Sequence, residues 1–189
     1  MQSIGYDTVA RVIETWDGAR RTYKDQEFEK EFGKLIVDKF VELQPRSRNF
    51  YQGEDMMQKH ADGIVHLLDS VLQMLGPDAD FIVEILEGVG TRHARMGVNV
   101  AFFPFLGQSL VWALSQVLGN DMTDENKEAW EEVYDAISGE IVKAILNASQ
   151  LWSRDGSVDW TNKYMHIQYT SRLPRTRSAL HLSLTHVKS

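Results

Sequence analysis

Residues 88–137 read GVGTRHARMGVNVAFFPFLGQSLVWALSQVLGNDMTDENKEAWEEVYDAI, and two helical stripes separated by a turn run through them. Leu106, Leu110, Trp112, Ala113, Leu114 and Val117 mark one helix, which Gly119-Asn120 closes. Thr123 is placed to cap the next helix, which continues through Trp130, Val133, Tyr134, Ile137, Ile141 and Ile145. On the other side of the stretch, His93 lies one turn after Val89 and two after Ile85, so an imidazole prolongs an apolar face. Taken alone, such a histidine is ordinarily a half-buried side chain with a backbone partner.

Upstream the same periodicity recurs. Val9, Val12, Ile13 and Trp16 form one stripe; Phe28, Phe32, Leu35, Ile36 and Phe40 form a longer one that ends before Pro45. Ile64, Leu67, Leu68, Val71, Leu72 and Leu75 mark a helix stopped by Gly76-Pro77, and Phe81, Ile82, Ile85, Leu86 and Val89 lead into His93. No part of this body alternates with period two for long, and nothing repeats at a fixed period, so the fold class is all-α. The 189 residues, 43% apolar and 25% charged, suit one domain with a substantial core. A net charge of -7 argues against a nucleic-acid partner, which a basic surface would attract. The charge is uneven: residues 153–189 hold six Lys/Arg against two Asp/Glu, while residues 1–152 are acidic. The expected division is therefore a domain at 1–152 and a basic, flexible C-terminal extension at 153–189, with YMHIQYTSRL as an alternative short strand. Without a single Cys there is no disulfide, thiolate nucleophile, iron–sulfur cluster or Cys-type zinc site.

Histidine is then the soft metal ligand that remains. Three of the six lie in the extension (His166, His181, His186), leaving His60, His66 and His93 in the body. His60 sits one turn before Ile64 on the inward side of its helix, whereas His66, six residues on, points about 120° away and cannot share a metal with it. Two inward histidines on different helices are more informative than either alone. With its surroundings, the opening stretch resembles the F–G–H region of a globin. His93 falls at the proximal haem-ligand position, Val98 and Phe103 at haem-packing positions, and Ala129-Trp130 through Tyr134 at the start of the last helix. KHADGIVHLLDSVLQML resembles a globin E helix with His60 at the distal position, FGKLIVDKFVELQP resembles a B helix, Pro45 opens the C helix, and Trp16 matches the A-helix tryptophan. The resemblance spans roughly residues 6–150 and is closest to neuroglobin-like and flavohaemoglobin-type globins.

That resemblance implies a 3-on-3 helical sandwich around haem b (iron protoporphyrin IX), without a D helix. His93 would hold the iron, and its other ring nitrogen would donate to a carbonyl one turn earlier, that of Val89. His60 would either ligate the iron or donate an N–H to bound gas, a hydrogen bond worth roughly 1–3 kcal/mol. Ile64, Val89, Phe103 and Leu106 would line the pocket and keep water out. The aromatic after the C helix that packs on the haem falls on Tyr51 counting from Pro45 and on Phe50 counting back from His60, with the balance toward Phe50. Val37 occupies the B-helix position where flavohaemoglobins carry a Tyr donor, and Phe103 replaces their proximal-side Tyr, so their oxygen-activating arrangement is absent. Lys59, Arg92 and Arg95 are equally readable as propionate partners and as plain surface charges.

The implied function is reversible binding of dioxygen, nitric oxide and carbon monoxide for storage, transport or sensing. The rival is a redox enzyme, a nitric oxide dioxygenase or nitrite reductase served by an external reductase, with bis-histidyl iron; a helical bundle that binds no haem is the third reading. Gly88-Val89-Gly90 begins like a dinucleotide fingerprint but lacks its third Gly and follows a helix. MQSIGYD lacks an export signal, VNVAFFPFLG is short for a membrane span, and the Asn147-Ala-Ser149 acceptor triplet reads as chance, so the expected location is the cytoplasm.

Overall fold

Apolar residues three and four apart along the body fold as helices because only that periodicity puts them on one buried face. The computed structural model describes residues 4–24, 27–75 and 79–154, with side chains in the last segment from 81 to 151. Six helices follow in order among the described residues: α1 (Tyr6–Arg21), α2 (Phe28–Leu43), α3 (Glu54–Met74), α4 (Ala79–Arg95), α5 (Phe103–Leu118) and α6 (Asp124–Arg154). Short 3-10 turns at Pro45–Phe50, Val100–Phe102 and Gly119–Asp121 join them, and no strand occurs among the described residues. Pro45 opens the first of these turns, and only Tyr51 to Gly53 separate it from α3, so there is no room for a further helix between them. The Gly76-Pro77 stop, the three C-terminal histidines and the strand alternative at YMHIQYTSRL lie outside the described residues. α6 runs to Arg154, so the boundary drawn at residue 152 falls within its last turn.

The helices form two layers. α1, α3 and α4 make one and α2, α5 and α6 the other, with α2 crossing α3, α4 lying on α6, and α1 packed against α6 and α5. Trp16 anchors the α1 end: its ring meets Phe28, Phe32 and Trp130 at 5.2, 5.6 and 5.7 Å. Both indoles are buried and both N–H groups are satisfied, Trp16 Nε1 donating to Asp69 (2.7 Å) and Trp130 Nε1 to Thr15 Oγ1 (2.8 Å). Arg20 pairs with the same Asp69 carboxylate. The predicted cap of α6 is present, with Asn126 N–H donating to Thr123 Oγ1 at 3.3 Å. Two stripe members behave otherwise: Ile13 is 37% and Phe81 65% exposed, each at the margin of its face.

The apolar stretch is longer than the ten residues counted in the sequence. Val100–Asp121 has the length and apolarity to cross a membrane by composition alone. In the fold it is a core helix whose Phe103, Leu110, Ala113 and Leu114 are buried between α2 and α6.

Two glycines let the layers touch at backbone distance, and each lies beside a candidate ligand. A Cβ on Gly33 of α2 would stand 2.7 Å from the Ala61 carbonyl oxygen of α3, next to His60. A Cβ on Gly90 of α4 would stand 2.5 Å from both the Ile141 carbonyl oxygen and the Ala144 Cβ of α6, next to Val89. These positions take no side chain because two helix backbones occupy the space.

Candidate functional site

The two crossings bring the imidazoles of His60 on α3 and His93 on α4 face to face, with ring centroids 6.3 Å apart and planes inclined by 57°. The Phe103 ring, buried at the start of α5, lies 6.1 Å from His93. On the proximal side His93 sits in the last turn of α4, and its Nδ1 donates to the Val89 carbonyl at 2.9 Å, the bond expected from sequence. A carbonyl only accepts, so the proton is on Nδ1 and the Nε2 lone pair is left for another partner. Burial pushes the His93 pKa down, against the opposing pull of that hydrogen bond, and the nearby Arg92 charge pushes it further.

On the distal side the partner is a hydroxyl. Tyr51 Oη lies 2.8 Å from His60 Nδ1, with ring centroids 5.5 Å apart. Burial, with a smaller contribution from His93, lowers the His60 pKa to about 4, so the ring is neutral near pH 7. Burial likewise raises the Tyr51 pKa to about 12, and the phenol keeps its proton. Both histidines therefore present neutral rings with Nδ1 engaged and Nε2 not, the state a metal ligand requires.

Around this pair the remaining candidate residues divide by side. Val89, Val98 and Leu106 are half-buried and pack against the main core, as does Ile64. Val37, buried on α2, forms a second apolar cluster with Met57 and Ala61, against which Tyr51 and Ile64 pack. The Phe50 ring lies 5.9 Å from Phe102, which in turn lies 6.3 Å from Phe40. Of the two adjacent aromatics, Tyr51 reaches His60. Lys59, Arg92 and Arg95 are all exposed. The Tyr51–His60 bond was not foreseen, and only a Tyr in the short segment before the helix hinted at it.

A two-layer, all-α protein with a pair of neutral imidazoles facing each other across its interior defines the class. The chain belongs to the globin family: the family model described as Globin matches residues 35–141, more than half of its length. Over 57 residues it is 30% identical to a flavohemoprotein of Bacillus subtilis (strain 168), covering 30% of this chain and 14% of that protein. Over 87 residues it is 28% identical to a flavohemoprotein of Bordetella pertussis, covering 44% and 21%. The chain thus spans a small part of these curated relatives. Among solved structures it is similar to a Drosophila melanogaster globin, with TM-score 0.65 at 18% identity over 74% of this chain and 94% of that one. It is also similar to a Drosophila melanogaster hexa-coordinate hemoglobin, with TM-score 0.63 at 19% identity, covering 73% and 93%. The fold is the globin fold, with the helices in the order the sequence implied.

The donor set can be tested against haem iron on its spacing. A metal–imidazole bond is about 2 Å long and the ring centre lies about 1 Å beyond the nitrogen, so two imidazoles on opposite sides of one metal have centroids about 6 Å apart. The pair here, at 6.3 Å, fits that spacing. Among the described residues no cluster of three or more His, Cys, Asp or Glu offers a metal a different home.

Proposed function

We propose that this globin holds haem b between His93 and His60, both as iron ligands at rest, and that diatomic gases bind reversibly by displacing His60. His93 and His60 would hold the haem, whose iron would supply the affinity for dioxygen, nitric oxide or carbon monoxide. The observation that carries the six-coordinate form is the 6.3 Å spacing of the imidazole centroids, which leaves no room for a further ligand between distal imidazole and iron. His93 is oriented by the Val89 carbonyl, while His60 swings between ligand and hydrogen-bond donor. Phe103, Ile64, Val89 and Leu106 shield the site from water, and Val37 contributes apolar surface where a polar donor would compete with His60. Apparent gas affinity is then the intrinsic affinity reduced by the fraction of protein with His60 released.

Within this reading oxygen binding, for storage, transport or sensing, is the function, carried out in the cytoplasm. The similarity to two flavohemoproteins favours a second reading, in which the same site consumes nitric oxide or reduces nitrite with electrons from an external reductase. The two share one test of the site. Reconstituted with haem and reduced without oxygen, the protein shows the split visible bands of low-spin six-coordinate iron, and His60→Leu shows the single broad band of five-coordinate iron. A broad single band in the unmodified protein contradicts the bis-histidyl form, and failure to take up haem ends the proposal.

A further inference from the structure

The two histidines are held by chemically different partners. Val89 offers His93 a backbone carbonyl, which accepts a proton and never donates one; Tyr51 offers His60 a hydroxyl, which does both. A neutral imidazole carries one proton on one of its two nitrogens. With the proton on Nδ1, His60 donates to Tyr51 Oη and its Nε2 lone pair is available to a metal. With the proton on Nε2, Tyr51 O–H donates to Nδ1 and the Nε2–H is available to a gas molecule. The carbonyl tolerates only the first of these forms. We propose that Tyr51 is a positioning residue that bonds both neutral tautomers of His60 and so lets one side chain serve as iron ligand at rest and as hydrogen-bond donor when gas is bound. The inference rests on the haem reading above and extends it to the residue that makes both states available.

Three features of the fold suit Tyr51 to this role. Its backbone N–H donates to the Arg48 carbonyl at 3.1 Å, closing the 3-10 turn and fixing where the side chain starts. Its ring packs on the Val37, Met57 and Ala61 cluster, so the hydroxyl is aimed by apolar contacts on α2 and α3. The phenol stays protonated throughout the neutral range, as the donating state requires. Both tautomers carry the same number of protons. The exchange moves one proton from one nitrogen of the ring to the other, and none is gained or lost.

The test uses the full chain loaded with haem. Haem uptake, read from the Soret band, comes first; its failure overturns the haem reading and is distinguishable from failure of this one. Carbon monoxide rebinding after flash photolysis then gives the His60 association constant, and stopped flow gives the dioxygen dissociation rate. Tyr51→Phe should lower the first and raise the second, each by about tenfold, the lower end of what partners of metal ligands are worth. The effect on dioxygen dissociation should vanish on a His60→Leu background, where loss of ring packing alone would persist. A change under twofold in either quantity, or an equal change with Leu at position 60, overturns the proposal. Nitrogen-15 NMR of the unmodified ferrous protein needs no variant: it should find the His60 proton on Nδ1 at rest and on Nε2 in the gas-bound form. One tautomer in both forms is the contrary result.

Discussion

The proximal and distal sides of this globin solve one problem with opposite degrees of freedom. Each presents an imidazole from a helix that crosses its neighbour at a glycine, Gly90 of α4 against α6 for the proximal side and Gly33 of α2 against α3 for the distal. On the proximal side the orienting bond is internal to α4, running from His93 to the carbonyl four residues earlier, so it exists whenever the helix does. On the distal side it spans two elements, from the end of the Pro45–Phe50 turn to α3, and holds only while the intervening segment keeps its register. On the proposed reading, the ligand that stays is tied to its own helix and the ligand that moves is tied to something outside it.

The largest blow to this comparison is His93→Gly, which removes the fixed ligand and should cost at least about a hundredfold in haem retention, measured by transfer to apomyoglobin. His60→Leu should leave haem bound and raise the carbon monoxide association rate about ten- to a hundredfold, because the gas no longer competes with an internal ligand. If the two substitutions cost the same in haem retention, the division into fixed and mobile ligands fails. Next come the crossings. Gly90→Ala puts a methyl group into the Ile141 carbonyl, and the overpacking should destabilise the protein by about 1–3 kcal/mol in urea unfolding. Gly33→Ala should cost somewhat less, since its closest approach is 2.7 Å against 2.5 Å. It should also disturb His60 ligation more than His93 ligation, a difference visible in the ferrous spectrum.

Comparable in size to the crossings is the effect of pH on the haem-free protein. Both histidines have pKa values lowered by burial, that of His60 to about 4 from the ordinary 6.5. The unfolded chain therefore binds more protons than the folded one below about pH 6.5. Stability is complete above that pH and is lost as it falls toward 4, by roughly 1–3 kcal/mol for His60. Equilibrium unfolding at several pH values reads this directly, and His60→Leu should flatten the slope.

The helices were legible because each carries a stripe whose period admits one structure, and Thr123, Pro45 and Gly119 punctuate them where their backbone chemistry predicts. His93 and its Val89 partner were legible for the same reason, a spacing of four within one helix. The segment from Gln44 to Gly53 was not. It has no periodicity, it is a 3-10 turn of residues with mixed character, and it ends at Gly53 with φ of 104°, a left-handed conformation that no apolar pattern encodes. Both the haem-facing aromatic, for which counting from Pro45 and from His60 points to Tyr51 and Phe50 respectively, and the Tyr51–His60 contact depend on that register. The helix over Leu106–Val117 closed by Gly119 was legible and α5 runs from Phe103 to Leu118; only the apolar stretch VNVAFFPFLG was counted too short, since Val100–Asp121 stays apolar past Pro104.

His60 and His93 are proposed to bind opposite faces of one iron. Electron paramagnetic resonance of the ferric, haem-loaded protein tests it without added ligand. A rhombic low-spin signal should dominate and should give way to an axial high-spin signal in His60→Leu. An axial high-spin signal from the unmodified protein would show His60 away from the iron and would contradict the claim.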